Sequence, residues 1–201
     1  MQKELFNQAL ALFDTPEKWN AFLEMASQKE NLKLHYFQKL KQPLLKYFNE
    51  NADGCWVCEP WGDPKYDLRW YLKDFGKGSL SLALGWGFQL LLHLEDTNTF
   101  DTNRINDLLK TDYSLILSSF DRVDRQFESN CKVVEERHYA FGSPYDYNFD
   151  ASNYDKLAWF AGNKTDMFVE QIIRKIEVFT KNQALTKMLY DLNERSKIKL
   201  E

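Results

Sequence analysis

Apolar positions recur at helical spacing over the first fifty residues. Leu5, Leu10, Ala11 and Phe13 form a short amphipathic pattern. Asp14-Thr15-Pro16 then reads as a helix start: a capping side chain is followed by Pro at the first helical position, where a missing N–H costs nothing. Trp19, Phe22, Leu23 and Met25 continue at helical spacing. A second helix is predicted from about Leu32 through Phe48, with Leu34, Phe37, Leu40, Leu44, Leu45 and Phe48 facing inward. Pro43 marks a kink or a restart within it.

The period then changes from helical to two. Gly54-Cys55-Trp56-Val57-Cys58 is a short strand candidate. From Asp67 to Asp74, Leu68, Trp70 and Leu72 alternate with Arg69, Tyr71 and Lys73, the pattern of a half-buried strand. Gly76-Lys77-Gly78-Ser79 is a turn, Leu80, Leu82 and Leu84 resume the alternation, and Gly85-Trp86-Gly87 suits a bulge or tight turn. Phe88, Leu90, Leu92 and Leu94 follow at period two. Together these segments predict an antiparallel meander of about three to five strands with helices on its apolar face, hence an α+β fold.

Asp101-Thr102 caps a long central helix predicted to reach about Phe127, with a stripe of Ile105, Leu108, Leu109, Ile116, Phe120, Val123 and Phe127. Cys131 to Phe141 is predicted as a last strand. Ser152-Asn153-Tyr154-Asp155 has capping-box form ahead of Leu157-Ala158-Trp159-Phe160. C-terminal helices are expected from about Asp166 to Phe179 and from Ala184 into a polar tail. No repeat and no linker divides the chain, so residues 1–201 are expected to form one domain. Its expected order is helical 1–50, β-meander 54–96, helix 101–127, strand 131–141, loop and short helix 142–165, and C-terminal helices 166–200.

Composition adds a partner class. Aromatics make up 15% of the 201 residues, more than a core of this size demands, and surplus aromatics favour interfaces. The net charge is −4, which argues against direct nucleic-acid binding. Its distribution is uneven: residues 95–155 hold 13 acids against 6 bases, whereas residues 1–49 and 156–201 are mildly basic. The N-terminus lacks the apolar core of a secretory signal, and no apolar run is long enough for a bilayer. Three Cys at low density do not suggest a disulfide scaffold. The expectation is a cytoplasmic protein with no membrane partner.

Candidate chemistry is sparse. Cys55-x-x-Cys58 lacks a second pair to complete a zinc site, and on a strand its thiols point to opposite faces. Asp146, Asn148, Asp150 and Ser152 begin like a calcium loop, but Ala151 replaces the required Gly and Leu157 the bidentate Glu. Asp63-Pro64-Lys65 is the one acid-x-Lys sequence, and its Pro and Gly62 place it in a loop. Glu136 and His138 would share a strand face, as an acid/base pair or as the solvent face of an edge strand. Arg69, Tyr71 and Lys73 line another face, suited to an anionic group but more simply a solvated surface. There is no glycine-rich phosphate loop and no nucleophile elbow. The sequence thus predicts no catalytic residue, no metal and no cofactor.

The most informative stretch is His138 to Asp155, HYAFGSPYDYNFDASNYD. It interleaves Tyr145, Tyr147, Phe149 and Tyr154 with Asp146, Asp150 and Asp155, contains no Lys or Arg, and follows Glu135-Glu136. Rigid aromatic anchors among carboxylates suit a cationic protein partner. A satellite core, with Asp residues as turn formers and caps, accounts for the same composition. On Glu135, Glu136, Tyr145, Asp146, Tyr147, Phe149, Asp150, Tyr154 and Asp155 the chain resembles the immunity proteins of bacterial polymorphic toxin systems, including contact-dependent growth inhibition. The resemblance is one of character over no aligned length. It implies a non-enzymatic cytoplasmic protein that binds a cognate toxin, often a basic nuclease, with carboxylates standing in for substrate phosphates. Two alternatives remain open. One is a divergent PD-(D/E)xK-like nuclease or nucleic-acid-processing domain using Asp63 and Lys65. The other is an adaptor subunit of a housekeeping complex.

Overall fold

The computed structural model describes residues 10–51, 54–61, 68–85, 89–119 and 154–198, together with Glu4 and Asn7. Helix α1 spans Pro16–Ser27 and α2 spans Lys29–Glu50. The start of α1 follows the local chemistry: Thr15 Oγ1 accepts from Lys18 N at 3.3 Å, and Pro16 occupies the first turn. Helix α2 runs through Pro43 without ending. It buries Phe37, Leu40, Leu44 and Phe48, while Leu34 and Leu45 pack at the core's edge.

Four strands follow: β1 (Trp56–Pro60), β2 (Leu68–Leu72), β3 (Leu80–Gly85) and β4 (Gln89–Leu94). They form an antiparallel meander in the order β1-β2-β3-β4. The register sets Cys58 opposite Trp70, Trp70 opposite Leu82, and Leu82 opposite Leu92. This buried row crosses the whole sheet. Gly76, at φ +70°, takes the left-handed turn position between β2 and β3 that a Cβ would strain, and Ser79 Oγ donates to its carbonyl at 2.7 Å.

Helix α3 (Thr102–Lys110) starts where expected, with Asp101 Oδ1 accepting from Arg104 N at 3.1 Å. It does not continue to Phe127. The helix ends at Lys110, three residues turn, and α4 (Ser114–Ser118) begins on a new path. Tyr113 causes the change of course: its hydroxyl donates to Asp191 and accepts from Arg195 at 3.0 Å. Arg195 also pairs with Asp112 at 2.8 Å. The stripe residues Ile105, Leu108, Leu109 and Ile116 are nonetheless buried. Phe120, Val123, Phe127 and the strand expected over 131–141 lie outside the described residues.

Helices α5 (Tyr154–Asn163), α6 (Thr165–Thr180) and α7 (Gln183–Ser196) complete the fold. Helix α2 packs against α5, α6 and β1, and α7 packs against α3, α4 and α6. Where α5 packs on α2, Gly162 leaves room for a ring: a Cβ there would lie 2.4 Å from the Tyr36 ring. Asn193 on α7, fully buried, accepts from Leu80 N at 3.0 Å and donates to Leu189 O at 2.9 Å, tying the last helix to β3. Among the described residues no helix is long and apolar enough to cross a membrane.

Candidate functional site

Most of the predicted partner-binding residues, namely Glu135, Glu136, Tyr145, Asp146, Tyr147, Phe149 and Asp150, lie outside the described residues. So do Cys131, His138 and the Asp63-Pro64-Lys65 sequence. The described end of the stretch has a defined place: Tyr154 begins α5 and Asp155 stands exposed in its first turn. The Asp155 carboxylate accepts from Lys29 and Lys33, each at 2.6 Å. These two lysines hold it below the usual carboxylate range, and Asp155, then Glu30, raises Lys33 in turn. Lys29 is the first residue of α2, so the acidic-aromatic stretch enters the fold at the corner between α1 and α2.

That corner carries the largest apolar exposure among the described residues. Helix α1 buries none of its residues. Trp19 is 46% exposed, Phe22 36%, Leu23 47% and Met25 67%, with Leu10, Leu12 and Leu32 also open to solvent. Single exposed apolar residues need no explanation, but a run of them on one short helix marks an interaction surface. The rings organise among themselves: Phe13 and Phe22 stand 4.5 Å apart, and Trp19 and Phe22 5.7 Å apart. Acids outnumber bases here. On α1 and its cap, Asp14, Glu17 and Glu24 stand with Lys18, which pairs with Asp14 at 2.6 Å, while Lys29 and Lys33 at the corner are matched by Glu30 and Asp155. Backbone and Thr15 hydrogen bonds at the helix start lower Glu17, keeping it ionised.

The face carrying Arg69, Tyr71 and Lys73 corrects the expectation of a solvated surface. Lys73 is exposed and Tyr71 half-buried, but Arg69 is 5% exposed. Its Nε donates to Glu59 at 2.8 Å, and its other nitrogens reach Glu59, Glu95 and the Lys77 carbonyl. Two carboxylates already occupy the guanidinium fork, so this face offers no phosphate site. The strand register explains the pairing, because Glu59 lies directly across from Arg69. Ser81, Ala83 and His93 are buried on the same side of the sheet.

A concave feature lies between α2, β1, β2 and α6. This cleft of about 80 Å³ is walled by Tyr47, Phe48, Trp56, Cys58 and Trp70. Phe48 meets Trp70 edge to face at 5.2 Å. At the outer side Tyr47 donates its hydroxyl to Glu177, and Lys181 pairs with the same carboxylate at 2.5 Å. Burial would raise Glu177, but the Lys181 and Tyr47 hydrogen bonds outweigh it and hold the group low. Burial, with Glu59 nearby, pushes the Cys58 thiol up to about 12, so it stays neutral. Cys55, just before β1, is exposed, whereas Cys58 within the strand is buried. No cluster of three or more His, Cys, Asp or Glu suited to a metal occurs among the described residues.

Comparison with family models, curated proteins and solved structures gives no match. Function therefore rests on surfaces and chemistry alone.

Proposed function

We propose that this chain is a protein-binding module of the immunity type, which neutralises a cationic toxin through an acidic-aromatic surface. The observation that carries the proposal is helix α1: twelve residues, none buried, with Trp19, Phe22, Leu23 and Met25 presented beside Asp14, Glu17 and Glu24. Exposed aromatics provide anchors that a partner can desolvate, and the surrounding carboxylates select for cations. Asp155 brings the end of the Tyr- and Asp-rich stretch to the same corner. The partner-binding residues proposed together with α1 are Glu135, Glu136, Tyr145, Asp146, Tyr147, Phe149, Asp150, Tyr154 and Asp155. A basic nuclease is the partner that such carboxylates fit best, because they replace the phosphates of its substrate. The cytoplasm, where such a toxin would act, is the proposed compartment.

The experiment co-expresses the chain with the product of the adjacent reading frame and measures both rescue of growth and affinity. Trp19→Ala with Leu23→Glu is expected to weaken binding at least thirtyfold while leaving the unfolding midpoint nearly unchanged. Asp146→Lys with Asp150→Lys is expected to slow association and flatten its salt dependence. Affinity indifferent to both pairs of changes would remove the basis for the proposed surface.

A further inference from the structure

We infer that α1 pairs with α1 of a second copy of this chain, antiparallel and about a two-fold axis between Phe22 and Leu23. The helix is twelve residues long and none is buried. Isolated helices of about 12–15 residues are marginal in water, and most gain their stability by packing an apolar face. Here that face is a stripe of Trp19, Phe22, Leu23 and Ala26, spaced i, i+3, i+4 and i+7 and all exposed. The rings of Phe13 and Phe22 stand 6.1 and 5.7 Å from that of Trp19, so the stripe is presented as an ordered surface.

Shape, charge and area favour a copy of the same helix as the occupant. The stripe is its own complement, as a two-fold contact requires. The axis sets Phe22 against Leu23 of the second copy. It also sets Trp19, the largest side chain of the stripe, against Ala26, the smallest, so that the two faces interdigitate. The same axis brings Lys18 level with Ser27, Glu17 with Gln28 and Glu24 with Ala21. No like charges meet, and like charges in opposition are what would deter a copy. Glu17 and Glu24 lie on the side of the helix away from the stripe, where they stay open to a cationic partner. Antiparallel packing also places opposite ends of the two helix dipoles together. The footprint, about 18 Å by 10 Å, falls well short of the roughly 800 Å² a side of a stable interface. The pair is therefore weak and reversible, and a tighter partner can displace it.

The pairing uses the helix of the proposed toxin-docking surface but needs no toxin, so it is tested on the full chain alone. Sedimentation equilibrium from about 5 to about 500 μM should show the mass rising towards twice that of one chain, with a dissociation constant on the order of 100 μM. Trp19→Ala and Ala26→Trp should each weaken the pairing about tenfold, the first by removing an anchor, the second by setting two indoles against each other. Combining them, Trp19→Ala with Ala26→Trp, should restore it, because each indole again faces an alanine across the axis. As no residue of α1 is buried, all three variants should keep the parent's unfolding midpoint. A chain that stays monomeric throughout would overturn the pairing. So would stronger association of Ala26→Trp, the mark of general stickiness, or no recovery in the combined variant. Toxin capture is read separately by growth rescue, so either reading can fail without the other.

Discussion

Asn193 is the most demanding polar position among the described residues, and two substitutions there separate its roles. Its side chain is fully buried. Its Oδ1 accepts from the Leu80 amide at 3.0 Å, while Nδ2 donates to Leu189 O at 2.9 Å and Leu80 O at 3.5 Å. Asn193→Ala leaves the Leu80 N–H without its side-chain acceptor and opens a small void. One buried unsatisfied donor costs about 1–3 kcal/mol and the void adds to it, for a total of about 3 kcal/mol. For a chain of this size that lowers Tm by about 6–12 °C. Asn193→Asp keeps the shape and the Leu80 N–H bond, but it aims a carboxylate at two carbonyl oxygens. Burial and those acceptors favour the protonated acid, which raises the folded-state pKa above the unfolded value of about 3.9. The folded variant then binds more protons than the unfolded one. Its stability relative to the parent is therefore greatest at low pH and falls as pH rises from about 4 through the folded pKa, with a limiting slope of about 1.4 kcal/mol per pH unit. Urea unfolding of parent, Asn193→Ala and Asn193→Asp between pH 4 and 8 measures this directly. A constant difference between Asn193→Asp and the parent across that range would refute a buried amide joining α7 to β3.

Two further predictions concern packing and reactivity. Gly162→Ala is expected to cost about 1–3 kcal/mol by overpacking, because the new methyl group would meet the Tyr36 ring. Adding Tyr36→Ala should return part of that loss, and a purely additive double mutant would deny the close crossing of α2 and α5. At pH 7.5 a maleimide should modify Cys55 and spare Cys58, whose buried thiol is pushed up to about 12. Fragment mass spectrometry distinguishes the two positions, and equal labelling in the native state would contradict the burial.

The local pattern revealed those elements whose reasons are local. The α1 start, the meander and the C-terminal helices followed from Thr15-Pro16, from the Leu-x-Leu alternation and from the Gly76 turn. The break between α3 and α4 was hidden because Ile105, Leu109 and Ile116 keep helical phase across it, while its cause, the contacts of Tyr113 with Asp191 and Arg195, comes from far along the chain. The burial of Arg69 was hidden for the opposite reason. Alternation alone groups Arg69 with the exposed Lys73, whereas the register that pairs it with Glu59 emerges only once the hairpin is built. As for α1, helical spacing identified the helix but not what its apolar side would meet.

Magnitudes show why α1 alone does not make a tight binder. Trp19, Phe22, Leu23 and Met25 are between 36% and 67% exposed, so a partner has about half of each side chain left to cover. Fully burying such a side chain yields about 1.5–3 kcal/mol, which puts the four together near 3–6 kcal/mol. Association costs an estimated 4–15 kcal/mol in lost freedom, so this gain is at best cancelled. The proposed immunity function needs far more, and the proposal assigns it to the acidic-aromatic stretch that ends at Tyr154 and Asp155. Lys29 and Lys33 hold the Asp155 carboxylate at the α1–α2 corner, fixing where the end of that stretch sits. On this reasoning neither half suffices. Substitutions on α1 and at Asp146 and Asp150 should each reduce tight capture to weak association, and their combination should add little more.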